Sequence, residues 1–323
     1  MMIFLQILMN DILPLLIFIG IGFVLDSRFK IDLNTYNKLT VYVILPSFVF
    51  YSIYEFDMDL SMIPLLTAGI LLIILQFLLS YGESKVFGIK SDKREIFSST
   101  SALSNTGNIG IALIVLIFSH PPYLLGDDMP YLTEARGTMI VLLILMSMAV
   151  NVFGMYLIGK KQAPFHDSLS AIVHMPMLYA VAAAFLVKSF HMDLTHMFIW
   201  PVLQHFSSAL IVFVMITLGS QLHRTKIQWS DRDVWLAVGN RLLIGPALAL
   251  AVITFYGAFS PITSQVFFIY AAVPSSVNLV LYAVEFKNHP DFATQIVMTG
   301  TILGTVTLTA SIYLAQLFFP LSH

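Results

Sequence analysis

Two stretches decide the fold of this 323-residue chain: Ser104-Asn-Thr-Gly-Asn-Ile-Gly110 and Ala272-Val-Pro-Ser-Ser-Val-Asn278. Each stretch places amide and hydroxyl side chains inside a long apolar segment, together with residues that disfavour a helix. Proline removes a backbone donor and clashes with the preceding turn, and glycine costs about 1 kcal/mol relative to alanine. The two stretches therefore predict helices that break at mid-depth, at Gly107 and Gly110 in the first and at Pro274 in the second.

The rest of the chain has the composition of an integral membrane protein. It is 58% hydrophobic and 11% charged, with a mean hydropathy of +0.86, whereas soluble domains are about a quarter charged. Because a helix needs about 20 apolar residues to cross a bilayer, the apolar runs predict an all-α protein with ten transmembrane helices and no separate soluble domain. These spans 1 to 10 are predicted at 3–25, 34–54, 60–81, 96–118, 135–159, 169–188, 197–221, 233–257, 261–283 and 292–316.

The basic residues are distributed very unevenly between the connections. Those on one side are Arg28, Lys30, Lys38, Lys85, Lys90, Lys93, Arg94, Lys160, Lys161, Arg224, Lys226, Arg232 and Lys287. The opposite side has only Arg136 and Lys188. Since cytoplasmic loops are enriched in lysine and arginine, we expect the first set of connections to be cytoplasmic and both termini to face outward.

Composition also excludes several partners and cofactors. A formal net charge of −2 lacks the basic excess with which proteins bind nucleic acid. The absence of cysteine excludes disulfides and thiolate metal sites. We expect no cofactor and no metal, and the sequence shows none of the common catalytic motifs, so an enzyme is not expected.

The two polar stretches correspond in an internal repeat. Aligning them pairs Asn105 with Ser275, Thr106 with Ser276 and Asn108 with Asn278. This correspondence predicts two five-helix repeats, 1–159 and 160–323. A five-helix unit is odd, so its second copy would enter the membrane from the opposite face, as in the inverted repeats of secondary transporters.

Broken helices at mid-membrane are suited to binding an anion. The first N–H groups of a half-helix are unpaired and carry partial positive charge, and neutral amides add further donors. The candidate substrate-binding side chains are Asn105, Thr106, Asn108, Ser275, Ser276, Asn278 and, in span 5, Asn151. The alternative is that these small polar residues only pack helices together.

Five segments resemble the auxin efflux carrier family of bacterial and plant transporters. They are Val43-Ile-Leu-Pro46-Ser-Phe, Ser104 to Gly110, Ile216-Thr-Leu-Gly219-Ser-Gln-Leu222, Arg241-Leu-Leu-Ile-Gly-Pro246 and Ala272 to Asn278. The resemblance implies the fold of PIN-type auxin exporters and bile-acid sodium symporters, with helices 4 and 9 broken and crossing. Helices 1, 2, 6 and 7 would form a scaffold that could dimerise, and helices 3, 4, 5, 8, 9 and 10 would move as an elevator. Family substrates are malate, malonate and other carboxylates, and indole-3-acetate.

Span 4 departs from many relatives of the family, since it has no proline at its break. A straighter span 4 would weaken the half of the site that is assigned to it.

Ionisable residues inside spans are candidates for coupling or gating. Asp11 in span 1 could carry a proton or coordinate a cation, or merely cap a helix. Arg241 in span 8 could contact substrate or act in gating, or it could snorkel or pair with a helix end. His174 could accept a proton or hydrogen-bond in helix packing. Because no acidic residue lies at the breaks, coupling to protons or uncoupled flux is favoured over a sodium site.

The sequence and the resemblance thus predict a secondary active transporter of a small organic anion in the lipid bilayer of a bacterial-type inner membrane. The alternative is a membrane sensor or receptor that binds the same ligand without translocating it.

Overall fold

The computed structural model describes residues 9, 12–56, 62–124, 128–159, 170, 173–225, 229–257 and 259–321. Asp11, a predicted coupling residue, lies outside the described residues. The helices are α1 (Leu13–Phe29), α2 (33–55), α3 (Ile63–Val86), α4 (Arg94–Ala102), α5 (Thr106–Ile117), α6 (Leu132–Ile158), α7 (Pro176–Ser189), α8 (Ile199–Arg224), α9 (Arg232–Tyr256), α10 (Pro261–Ala272), α11 (Asn278–Glu285) and α12 (Pro290–Phe318).

The predicted all-helical class is confirmed for this part of the chain. Its described residues form no strand, and they contain an isolated antiparallel bridge between Ser104 and Ser275. Among the described residues, five helices are long and apolar enough to cross a membrane, namely α3, α6, α8, α9 and α12. Other helices occupy the remaining predicted spans, with α4 and α5 in span 4 and α10 and α11 in span 9.

Span 6 is predicted to begin at residue 169, and Ser170 and Val173 are helical, but the helix is interrupted at Met175 and α7 begins at Pro176. Met175 has extended dihedral angles, φ −81° and ψ 111°. A residue before proline is sterically disfavoured in the helical region, which explains the later start.

The helices pack in two groups. In the first, α1 and α2 pack against α8, and α2 also packs against α7. In the second, α3 packs with α4 and α9, and α10 packs with α6, α9 and α12. The broken helices belong to the second group, and the contacts between the two groups include those of α5 with α8 and of α6 with α2.

Glycines allow α1 and α8 to approach very closely. A Cβ on Gly22 would lie 2.2 Å from the carbonyl oxygen of Ile216, and a Cβ on Gly219 would lie 1.9 Å from that of Ile19. The Ser220 hydroxyl donates to the Gly22 carbonyl at 3.2 Å. Membrane helices associate through small residues and interhelical hydrogen bonds of this kind, so these two helices form a tight pair.

An ion pair joins the same two helices near their ends. The buried Asp26 carboxylate accepts hydrogen bonds from Arg224, at 2.6 and 3.0 Å, and lies 2.8 Å from Nδ1 of His223. A buried carboxylate is costly without partners. These contacts therefore fix the register of α1 on α8.

Candidate functional site

The two interrupted helices cross and bond to each other through their main chains. The N–H of Asn105 donates to the carbonyl of Pro274 at 2.7 Å, and the N–H of Ser276 donates to the carbonyl of Leu103 at 3.0 Å. The interruptions thus run antiparallel for a few residues. Backbone groups at membrane depth must be satisfied within the protein. This reciprocal pairing gives hydrogen-bond partners to backbone groups that lose their helical partners at each break.

The first interruption lies slightly earlier than the glycines predicted to cause it. Helix α4 ends at Ala102, Leu103 is extended with φ −105° and ψ 117°, and α5 begins at Thr106. Gly107 and Gly110 therefore lie in the first turns of α5, outside the gap. The cause of the break is tertiary, because the segment 103–105 exchanges helical bonds for bonds to the second interruption.

Pro274 lies inside its gap, as predicted, between Ala272 and Asn278. A Cβ on Gly304 of α12 would lie 2.5 Å from Cγ of Pro274. The close approach of α12 therefore fixes the proline ring from behind the crossing.

Polar side chains at the crossing fall into two sets. The Ser275 hydroxyl donates to the Thr100 carbonyl at 2.5 Å, and Ser104 Oγ lies 2.7 Å from Thr106 Oγ1. These hydroxyls are buried and hydrogen-bonded. The carboxamide nitrogen of Asn105, by contrast, is buried without a hydrogen-bond partner among the described residues. An orphaned buried donor is unusual in native proteins, and here it belongs to a residue at the wall of a cavity.

The cavity, of about 350 Å³, lies between the two helix groups. The predicted binding residues in its wall are Asn105, Thr106, Asn108, Ser276, Asn278 and Asn151. Gly107 also lines it, whereas Ser275, Gly110 and Pro274 are not among its lining residues. The structure thus brings together six of the seven predicted side chains, and the seventh, Ser275, bonds to α4 instead.

The cavity is also lined by residues that the sequence did not single out. Asn37 and Tyr42 of α2 and Gln221 of α8 form part of the opposite wall, and Ser147 lies on α6 beside Asn151. His174, which the sequence did flag, also lines the cavity, and its Nδ1 lies 2.8 Å from the Ser170 carbonyl. The sequence signal that could have identified these residues is the presence of polar side chains in spans 2 and 7. Whether such a side chain faces the cavity depends on the rotation of its helix.

Asn151 is positioned by two hydrogen bonds. The Tyr282 hydroxyl on α11 donates to Asn151 Oδ1 at 2.6 Å, and Asn151 Nδ2 donates to the Ser147 carbonyl at 2.7 Å. One N–H of the carboxamide is left for another partner. This geometry orients an amide donor at the cavity from α6.

Among the described residues, those that line the cavity include no Asp, Glu, Lys or Arg. Its polar groups are amides, hydroxyls, backbone groups and one imidazole. The N-terminal ends of α5 and α11, at Thr106 and Asn278, both reach it. Helix N-termini carry about half a positive charge each, so the cavity can receive an anion without a fixed cation.

The cavity lies on the side of the basic connections. Asn37, His174 and Gln221 are at helix ends that adjoin those connections. On the other side of the crossing, the two groups meet through apolar residues, including Leu15, Met215 and Leu308, around a gap of about 30 Å³. A ligand in the cavity is therefore separated from the opposite side by packed side chains.

Four π-helical turns lie around the crossing, at Thr40–Ile44, Thr106–Gly110, Val150–Gly154 and Asn240–Ile244. Three of them contribute residues to the cavity wall, and the fourth carries Arg241. Such turns occur often at functional sites because they redirect side chains and loosen the helical bonding.

Arg241 is placed behind the crossing, away from the cavity wall. Its guanidinium donates to carbonyl oxygens at the ends of α4 and α10, and it is 3% exposed. Of the roles that the sequence left open for Arg241, this geometry corresponds to pairing with helix ends. No described group of three or more His, Asp or Glu side chains could hold a metal.

A multi-pass helical protein with a polar cavity at two crossed, broken helices has the architecture of a membrane transporter. The chain matches the family described as "Membrane transport protein" in two consecutive segments, 7–168 and 169–312. It belongs to this family of auxin efflux carrier-like transporters, and the resemblance predicted from the sequence is confirmed. It is also 24% identical over 306 residues, 93% of this chain and 95% of the relative, to an uncharacterized transporter of Methanothermobacter thermautotrophicus.

Proposed function

We propose that this protein is a secondary active transporter of a small organic anion, a carboxylate, which it binds at the crossing and moves by an elevator mechanism. The observation that carries the proposal is the convergence of two helix N-termini, those of α5 and α11, on one uncharged polar cavity. Half-helix N-termini at mid-membrane bind anionic substrate groups in transporters. Asn105, Asn108, Asn278 and Asn151 would supply further donors to the carboxylate.

The described residues of the cavity wall include no lysine or arginine, which favours a monocarboxylate over a dicarboxylate such as malate or malonate. One negative charge can be compensated by the two helix ends, of about half a charge each. A second carboxylate would be desolvated without compensation, which is expensive. Apolar residues on both walls, among them Leu45, Val150 and Leu281, would contact the substrate's hydrocarbon part.

The two helix groups support the elevator. α1, α2, α7 and α8 would be the scaffold, and α3 to α6 with α9 to α12 would be the moving domain that carries the crossing. Because the cavity lies between the groups and is closed by apolar packing on the other side, sliding one group along the other would expose it alternately. In this proposal the two five-helix repeats remain those predicted from the sequence, 1–159 and 160–323.

A binding screen followed by counterflow tests the proposal. Purified protein would be screened by thermal shift with monocarboxylates, dicarboxylates and matched neutral amides, and stabilising compounds would then be tested for counterflow in liposomes. Asn108→Ala and Asn278→Ala should weaken binding at least about tenfold, as loss of a hydrogen bond to a charged group predicts. Asn34→Ala, at an exposed position near the start of α2, is the control.

Two results would contradict the proposal. If both cavity variants insert normally and transport at the wild-type rate, the crossing is not the binding site. If carboxylates bind but counterflow is absent in sealed liposomes, the protein is a receptor and not a carrier.

A further inference from the structure

Arg241 joins the C-terminal ends of α4 and α10, which are the first halves of the two broken helices. Its Nε donates to the carbonyl of Val273 at 2.8 Å and its Nη1 to the carbonyl of Ala102 at 3.1 Å. Its Nη2 donates to the carbonyl of Ala271 at 2.7 Å and lies 3.5 Å from that of Tyr270. A single guanidinium therefore bonds to the ends of both α4 and α10.

The charge of this arrangement balances. Each helix C-terminus carries about −0.5 elementary charge, so two such ends together match the single positive charge of one guanidinium. Among the described residues Arg241 forms no salt bridge with a carboxylate. The helix ends and their carbonyl oxygens are thus its compensating charge.

The crossing accordingly separates two kinds of helix end. The N-termini of α5 and α11 line the ligand cavity, and the C-termini of α4 and α10 meet at Arg241. In transporters with broken helices, carbonyls at half-helix C-termini are the groups that coordinate a coupling cation. Here the side chain of Arg241 already bonds to them.

The space beside the guanidinium is too small for another ion with its ligands. The remaining gap is about 10 Å³ and is lined by Gln76, Tyr270 and Gly245, among others. Gln76 Oε1 and the Tyr270 hydroxyl are buried there without partners among the described residues. A volume of this size holds at most one water.

We propose that Arg241 is a tethered cation that replaces a transported one, so that the crossing is held in its binding geometry without sodium. The guanidinium stabilises both helix ends, and through the antiparallel pairing of 103–105 with 274–276 it positions the N-termini that face the cavity. Arg241 is a positioning residue, since it does not line the cavity.

Chemical rescue tests this role. In Arg241→Ala the guanidinium is removed and a void opens at the four carbonyls, so we expect a lower Tm. Guanidinium ion at millimolar concentration should raise the Tm of this variant in a saturable way, while equal urea should not. The matched control is Arg232→Ala, an exposed arginine at the start of the same helix, whose Tm should not respond.

Sodium dependence gives a second readout. The wild-type Tm, and carboxylate binding where it is detected, should be unchanged when sodium is replaced by choline. Arg241→Ala should respond to small cations, and Arg241→Lys, which keeps the charge but not the forked geometry, should be intermediate in Tm. If Arg241→Ala cannot be purified, Arg241→Lys provides the test, because guanidinium ion should not raise the Tm of a protein whose site is still filled by an ammonium group.

The inference is overturned if the wild-type protein requires sodium for stability or binding, or if guanidinium fails to rescue a folded Arg241→Ala protein. The stability measurements need no substrate. Failure of the anion transport proposal would therefore leave this inference standing, and the two can be judged separately.

Discussion

The backbone N–H of Asn105 lies 2.7 Å from the carbonyl oxygen of Pro274 and donates to it, although the two residues belong to different membrane helices. With the reverse bond from Ser276 to Leu103, this contact makes each interruption the hydrogen-bonding partner of the other. The geometry of the cavity therefore depends on backbone positions, and changes that shift the backbone should affect binding most.

Gly304→Ala should disturb the crossing. The added Cβ would lie 2.5 Å from Cγ of Pro274, and a proline ring cannot rotate away. Overpacking of this kind costs about 1–3 kcal/mol. Thermal unfolding in detergent and carboxylate binding should both weaken. Gly300→Ala, one turn away on α12 with its nearest atom at 3.8 Å, should behave as wild type, and equal losses in the two variants would contradict the prediction.

Gly219→Ala should destabilise the α1 and α8 pair. The new methyl would lie 1.9 Å from the Ile19 carbonyl oxygen, so the two backbones would have to separate. We expect a loss of about 1–3 kcal/mol, read as a lower Tm. Gly20→Ala on α1, which meets nothing within 4 Å, is the matched control and should leave the Tm unchanged or slightly higher, since alanine favours the helix.

Tyr282→Phe should weaken ligand binding with little effect on folding. The lost hydroxyl donates to Asn151 Oδ1 at 2.6 Å, and without it the Asn151 carboxamide can rotate. The expected change is about a threefold to tenfold rise in Kd, equivalent to one ordinary hydrogen bond. Tyr81→Phe, at an exposed position on α3, serves as the comparison. A wild-type Kd for Tyr282→Phe would remove Asn151 from the site.

Single cysteines should report which side reaches the cavity. The chain has no cysteine, so each variant has one thiol. In oriented vesicles, Asn278→Cys should react with an impermeant thiol reagent from the side on which Lys90→Cys reacts. Asn278→Cys should not react when the reagent is added on the opposite side, on which Thr195→Cys reacts. Leu15→Cys, in the apolar packing on that side, should not react from either side. Labelling of Asn278→Cys from the Thr195 side would show that the cavity faces the other way.

The sequence was sufficient to predict where polar groups enter the membrane. Apolar periodicity and composition predicted helices in the observed stretches, and Pro274 marked the gap in span 9 because proline acts locally. Six of the seven predicted binding side chains line one cavity. Five of them belong to the two interrupted stretches, which are neighbours because the breaks pair with each other, and the sixth, Asn151, lies on α6.

Other features depend on tertiary contacts that no local pattern contains. The break at Leu103 has no glycine or proline, and it is stabilised by bonds to residues far along the chain. The direction of Arg241 is set by carbonyls that are exposed only because α4 and α10 end there. Asn37 and Gln221 reach the cavity through the rotation of α2 and α8, which polar residues alone do not specify.

The main-chain pairing of the two interruptions has a consequence for how such a carrier can diversify. Since the frame of the cavity is made of peptide groups, which every amino acid except proline supplies in full, other substitutions at the lining positions leave that frame in place. Descendants of one ancestral chain could thus acquire new cargoes through a few side-chain exchanges, with the translocating machinery inherited unchanged.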